Sequence, residues 1–240
     1  MTEYARHIEE YSSHYKWSHF SELIPENQWG DKGLAEVYLR KFWLSEQEYL
    51  DTWKTIQEGI FRIDKGIYVG DKWFPSPSLL PDLVFAQGFE MIAQPGGCLF
   101  CKKDFEQLQK AMQEVEEEYF VVIQRSQDYT YGEPMFRMKF PVNIDWEELT
   151  SGNYISAVLL EMGFNEYFVF GKSGNWGKYV ATDSLYSLDI IGFKPELSAI
   201  FEEQFSPFER KADELFQEMR KERAYMAVVL AEPHRDTVEQ

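Results

Sequence analysis

Cys98 and Cys101, the only two cysteines in the chain, stand three residues apart with Leu99 and Phe100 between them. A thiol pair of this spacing supports two chemistries. Placed at the start of a helix it can cycle between dithiol and disulfide, because a helix N-terminus stabilises the thiolate. It can also supply two thiolates to a tetrahedral zinc ion, the other ligands coming from His7, His14, His19 or His234. A third reading involves no chemistry. Phe105, Leu108, Met112, Val115 and Tyr119 recur at helical spacing, and Cys101 and Cys98 continue that rhythm backwards, as small apolar side chains extending a buried stripe.

The flanking elements favour the third reading. Pro95-Gly96-Gly97 turns the chain into the motif, and Asp104 with Gln107 predicts a helix cap just after it. With the cap at Asp104, the cysteines lie about a turn before the helix and lose most of its dipole. The setting that thioredoxin-like proteins give such a pair is missing: no Trp precedes Cys98, and the segments upstream read as helices, not as a βαβ unit. A single pair with distant histidines is also an incomplete zinc signature. No cofactor is expected, with zinc at the pair as the exception to be tested.

Other chemistries lack their residues. Gly171-Lys172-Ser173 looks like the end of a phosphate-binding loop, but the glycine required five residues earlier is Glu166, and a strand follows where a helix is needed. This segment is expected to be a hairpin turn. Gly-x-Ser-x-Gly does not occur, and no catalytic residue is assigned. A carboxylate pair in an aromatic cleft would draw on Trp73, Phe74, Trp146, Trp176 and Tyr179, rings that more often build a core.

The hydropathy pattern predicts an α+β fold: a mostly antiparallel sheet with a C-terminal meander, N-terminal helices and a long C-terminal helix. Tyr4, Ile8, Tyr11 and Tyr15 form one apolar stripe, and Leu34, Val37, Tyr38 and Phe42 form a second. Ser45 with Glu48 caps a third helix that stops near Gly59. A short hairpin is read over 60–69 around Asp64-Lys65-Gly66, then an irregular loop through Pro75, Pro77 and Pro81. Strands are expected within 83–93, over 119–123 and over 135–142. Asp145 with Glu148 caps a short helix closed by Ser151-Gly152. Four runs, 154–161, 166–170, 176–182 and 188–193, are joined by connections too short for parallel crossovers. Pro195 marks a possible helix start, and a last helix runs from Ser206-Pro207 to about Ala231. The chain reads as one domain, 1–240, with a possible division at the loop 70–82 into 1–75 and 83–231.

Charge bears most directly on function. The 41 acidic and 24 basic residues leave a formal charge of −17, spread evenly over both halves. Between Phe140 and Gly171 there is no Lys or Arg, while Asp145, Glu147, Glu148, Glu161 and Glu166 all occur. Such a field repels nucleic acid and anionic membranes and speeds encounter with basic partners. The N-terminus shows no secretory pattern and the longest apolar runs are too short to span a bilayer, so the expectation is a cytoplasmic protein.

Two functions follow as alternatives. One is an acidic interaction protein without catalytic activity that binds a basic protein partner, its contacts being Asp145, Trp146, Glu147, Glu148, Glu166 and Trp176. In overall character the chain is similar to bacterial immunity proteins and antitoxins, an analogy of style without a shared motif. The other is an enzyme or small-ligand binder with an aromatic cleft, using Cys98 and Cys101 for redox or metal chemistry. The sequence sets no oligomeric state.

Overall fold

The computed structural model describes residues 37–38, 41–62, 67–69, 72–74, 84–95, 99–125, 136–152, 166–182 and 187–205. The fold is α+β. Its centre is a six-stranded antiparallel sheet of β3 (Glu90–Pro95), β4 (Tyr119–Arg125), β5 (Phe136–Pro141), β6 (Glu166–Gly171), β7 (Trp176–Thr182) and β8 (Ser187–Phe193). These lie in the order β3-β8-β7-β6-β4-β5. The last three strands form the expected meander, with Phe168 opposite Tyr179 and Tyr179 opposite Ile190. A separate hairpin pairs β1 (Ile67–Val69) with β2 (Lys72–Phe74). It sits one step later than 60–69, because Ile60 belongs to the preceding helix.

Both faces of the sheet are covered, which explains why its strands read as continuous apolar runs. In Tyr167-Phe168-Val169-Phe170 every side chain is buried although neighbours point in opposite directions. On one face Phe120, Val122, Phe140, Val169, Trp176 and Phe193 meet Phe105, Leu108, Ala111 and Met112 of α2 (Lys102–Glu114). Also on this face are α3 (Trp146–Leu149) and, after a 3-10 turn at Pro195–Leu197, α4 (Ser198–Gln204), which contributes Phe201. On the other face Val121, Ile123, Phe168, Phe170, Tyr179 and Ile190 meet Trp53, Ile60, Phe61, Val84 and Phe85.

The helix on that second face, α1, is made of Glu46–Glu48, a π-helical turn Tyr49–Trp53, and Lys54–Ile60. Ser45 caps it, its hydroxyl accepting the Glu48 N–H at 3.2 Å. Beside it two glycines face each other across β7 and β8, Gly177 opposite Gly192. A Cβ at Gly177 would stand 2.6 Å from the Phe61 ring, and one at Gly192 would stand 2.4 Å from the Phe85 ring. The pair therefore makes a trough in the sheet in which the two phenyl rings, 5.2 Å apart, lie down.

Among the described residues no helix is long and apolar enough to cross a membrane. The stripe over 4–15, the loop around Pro75 to Pro81, the run 154–161 and the last helix to Ala231 lie outside the described residues.

Candidate functional site

Cys101, not Asp104, is the N-cap of α2. Its backbone is extended (φ −102°, ψ 160°) and its carbonyl accepts the Phe105 N–H at 2.9 Å. Asp104 falls inside the first turn and its carboxylate instead accepts a hydrogen bond from the Cys101 thiol, Sγ lying 3.0 Å from its Oδ2. Cys101 is exposed, so it does not extend the buried stripe; Leu99 and Phe100 are the buried pair. The cap position brings the thiol close to the helix dipole, yet its pKa is raised above the ordinary cysteine value. Partial desolvation of the sulfur against its neighbours is the main cause, followed by the hydrogen bond to Asp104 and the charge of that carboxylate. These surroundings disfavour the thiolate, the form that acts as nucleophile. Cys98 and all four histidines lie outside the described residues, and among those described no group of three or more ligating side chains comes together.

Behind this segment lies a buried ion pair. Lys178 Nζ stands 2.7 Å from Asp189 Oδ2, both side chains almost wholly shielded from water. The same ammonium donates to the Leu99 carbonyl at 2.8 Å and lies 5.1 Å from the centre of the Phe100 ring. Bringing two charges into a core is offset only by near-complete pairing, and here part of that pairing is the loop backbone. The pair therefore pins Leu99 and Phe100 against β7 and β8 and fixes where α2 begins.

Of the six proposed contact residues, four share one short element. Asp145 caps α3, accepting the Glu148 N–H at 2.7 Å. Glu147 pairs with Lys102 at 3.3 Å, and Glu148 pairs with Lys41. Trp146 is only half exposed, its ring 5.9 Å from that of Phe105. Glu166 stands apart at the start of β6, opposite Arg125 of β4. Trp176 is fully buried and offers nothing to a partner. A Trp just after a turn, at the start of a strand, reads as a surface anchor, but β7 has no solvent-facing side, so both its faces go to the core.

Trp176 leads to a residue the sequence reading passed over. Its Nε1–H donates to Glu117 at 3.0 Å. The same carboxylate accepts the Lys172 N–H at 2.9 Å, the Ser173 N–H at 3.2 Å, and the Ser173 hydroxyl. Gly171 leaves the space it occupies, since a Cβ there would stand 2.2 Å from Glu117 Oε1. Gly171-Lys172-Ser173 is thus the expected hairpin turn, and its amide donors point at an anion supplied by the chain itself. The signal was present in the glycine-led turn, whose amides need an acceptor, but the Glu that answers it is one of four acids in 114–118 and looks like an ordinary solvated one.

Arg137 was also missed. It is buried at the β5 edge with its guanidinium 5.8 Å from the Trp43 ring and 5.7 Å from that of Tyr49. Planar, weakly hydrated guanidinium suits such stacking. Of the rings proposed for a cleft, Trp176 and Tyr179 are core and Trp146 packs against Phe105; the side chains of Trp73 and Phe74 are outside the description.

Comparison with protein-family models, with curated proteins and with solved structures yields no match for this chain.

Proposed function

We propose that this chain is a cytoplasmic interaction protein, without catalytic chemistry of its own, that binds a basic protein partner through its acidic surface. The supporting observation is how its exposed charges are used. Lys41, Lys102 and Lys139 are each tied to a carboxylate, Glu148, Glu147 and Glu48 respectively. Among the described residues the carboxylates of Glu46, Glu58, Glu90, Glu106, Glu116, Glu118, Glu196 and Glu203 have no hydrogen bond or ion pair, against the fewer side-chain bases Lys54, Arg62, Lys103, Lys110 and Lys172 in the same condition. The excess of acids therefore stands as free surface charge, the arrangement that steers a cationic protein toward docking. The alternative of an enzyme using the cysteine pair would need the Cys101 thiolate, the form that its surroundings disfavour.

The test is isolation of the tagged protein from its native cells at low salt, with mass spectrometry of what accompanies it. A stoichiometric basic protein that is released as salt rises, and rebinds when both are purified, supports the reading. A bound metal or small molecule without a protein overturns it in favour of the cleft and the cysteine pair.

A further inference from the structure

The acids of α3 are answered by lysines of the same chain, but another part of the acidic surface is not. After α2 the chain turns through Glu116 in the left-handed region (φ 58°), which sends Glu117 inward and leaves Glu116 and Glu118 exposed. The exit of β5 runs alongside, the Val142 N–H donating to the Glu118 carbonyl at 2.9 Å. Between Gln113 on α2, Glu118 and Tyr119 at the start of β4, and Pro141 to Asn143 lies an open depression of about 460 Å³.

Its lining suits a cation. It contains no Lys or Arg, and Glu117, which also borders it, is committed to the turn after β6. The Glu118 carboxylate has no partner among the described residues. Tyr119 is 41% exposed although it opens a strand of the central sheet. Lys139 Nζ lies 5.2 Å from the centre of the Tyr119 ring, but that charge is answered by Glu48 at 2.6 Å and leaves the Glu118 carboxylate unneutralised. The amides of Gln113 and Asn143 are exposed at the rim and offer neutral hydrogen-bond acceptors. A planar group that stacks on a ring and donates to a carboxylate is met by arginine better than by lysine.

We infer that this depression seats an arginine side chain of the basic partner, with Glu118 supplying the opposite charge and Tyr119 the ring. The inference rests on the interaction reading above and gives it a place on the surface. It is tested without the partner, by titrating ¹⁵N-labelled protein with N-acetyl-arginine amide and, separately, with the neutral isostere N-acetyl-citrulline amide. The expected result is amide shifts confined to Gln113, Glu118, Tyr119, Val142 and Asn143, produced by the arginine probe alone. Glu118→Gln should weaken that binding roughly two- to fivefold, the range of an exposed ion pair, with the rest of the spectrum unchanged. Shifts elsewhere, equal shifts with citrulline, or indifference to Glu118→Gln would each overturn it. The two readings also fail separately. A chain with no protein partner sinks the proposed function and leaves this titration standing. A partner bound equally well by Glu118→Gln and Tyr119→Ala variants sinks the arginine seat alone.

Discussion

Glu117→Ala should destabilise the protein by about 2–4 kcal/mol, and the reason is local. The carboxylate is nine-tenths buried and accepts from the Trp176 indole, from two turn amides and from the Ser173 hydroxyl. Removing it leaves the indole N–H of the fully buried Trp176 without its acceptor, at about 1–3 kcal/mol. Lys172 and Ser173 are exposed, so their donors turn to solvent and lose only a net hydrogen bond or so, about 0.5–1.5 kcal/mol in all. Glu117→Gln keeps the shape but replaces one acceptor by a donor that faces donors; its remaining oxygen can serve one of them, so about 1–2 kcal/mol is expected. Urea unfolding followed by tryptophan fluorescence and circular dichroism gives these values, with the slope unchanged if the native state stays compact. The decisive comparison is the cycle with Trp176→Phe, which removes the N–H but keeps a ring. Coupling of about 1 kcal/mol between Glu117→Ala and Trp176→Phe is expected, whereas additivity within roughly 0.5 kcal/mol would refute the clamp.

The other predictions concern the second buried charge, the thiol and the trough. Lys178→Met or Asp189→Asn alone should cost about 3–5 kcal/mol in denaturant titration, because each leaves an uncompensated polar group in the core, while replacing both by apolar residues should recover much of the loss. In a Cys98→Ala background Cys101 should react with a disulfide reagent at neutral pH more slowly than free cysteine, and the rate should rise with pH through and above the ordinary thiol range. Asp104→Ala removes both the acceptor that favours the thiol and the charge that opposes the thiolate, so it should speed the reaction; burial, the larger cause, remains. A slower reaction in that variant would contradict the assignment. Gly177→Ala and Gly192→Ala should each lower stability by about 1–3 kcal/mol through overpacking against Phe61 and Phe85, with Phe61→Leu partly rescuing the first. Thermal midpoints unchanged in both would show that the trough has slack.

How much of this was legible depended on whether the cause was local. The caps of α1 and α3 could be read because Ser45 and Asp145 act on an N–H three residues away. The meander could be read because its turns are short, and β4 because Tyr119 to Ile123 is rich in β-branched and aromatic residues. The cap of α2 was misplaced because Asp104 is a common capping residue; what its carboxylate receives is the thiol of Cys101. The π-helical turn at Tyr49 leaves no mark in a pattern read at ordinary helical spacing. Trp176, Glu117, Arg137 and Lys178 were opaque for one shared reason. Each is polar or amphipathic, and its burial is set by partners far away in sequence: Glu117 for the indole, Trp43 for the guanidinium, Leu99 and Asp189 for the ammonium. Charge composition marked the surface as acidic, but which acids are free depends on where Lys41, Lys102 and Lys139 fall, and only the fold brings those pairs together.

That free charge makes a kinetic signature. With the partner identified and purified, the association rate constant measured by stopped flow from about 10 mM to about 300 mM salt should fall by roughly tenfold or more, with dissociation far less affected. Reversing Glu116 and Glu118 to lysine should lower the rate at low salt and flatten that dependence. An association rate indifferent both to salt and to the two reversals would contradict recognition through the acidic surface.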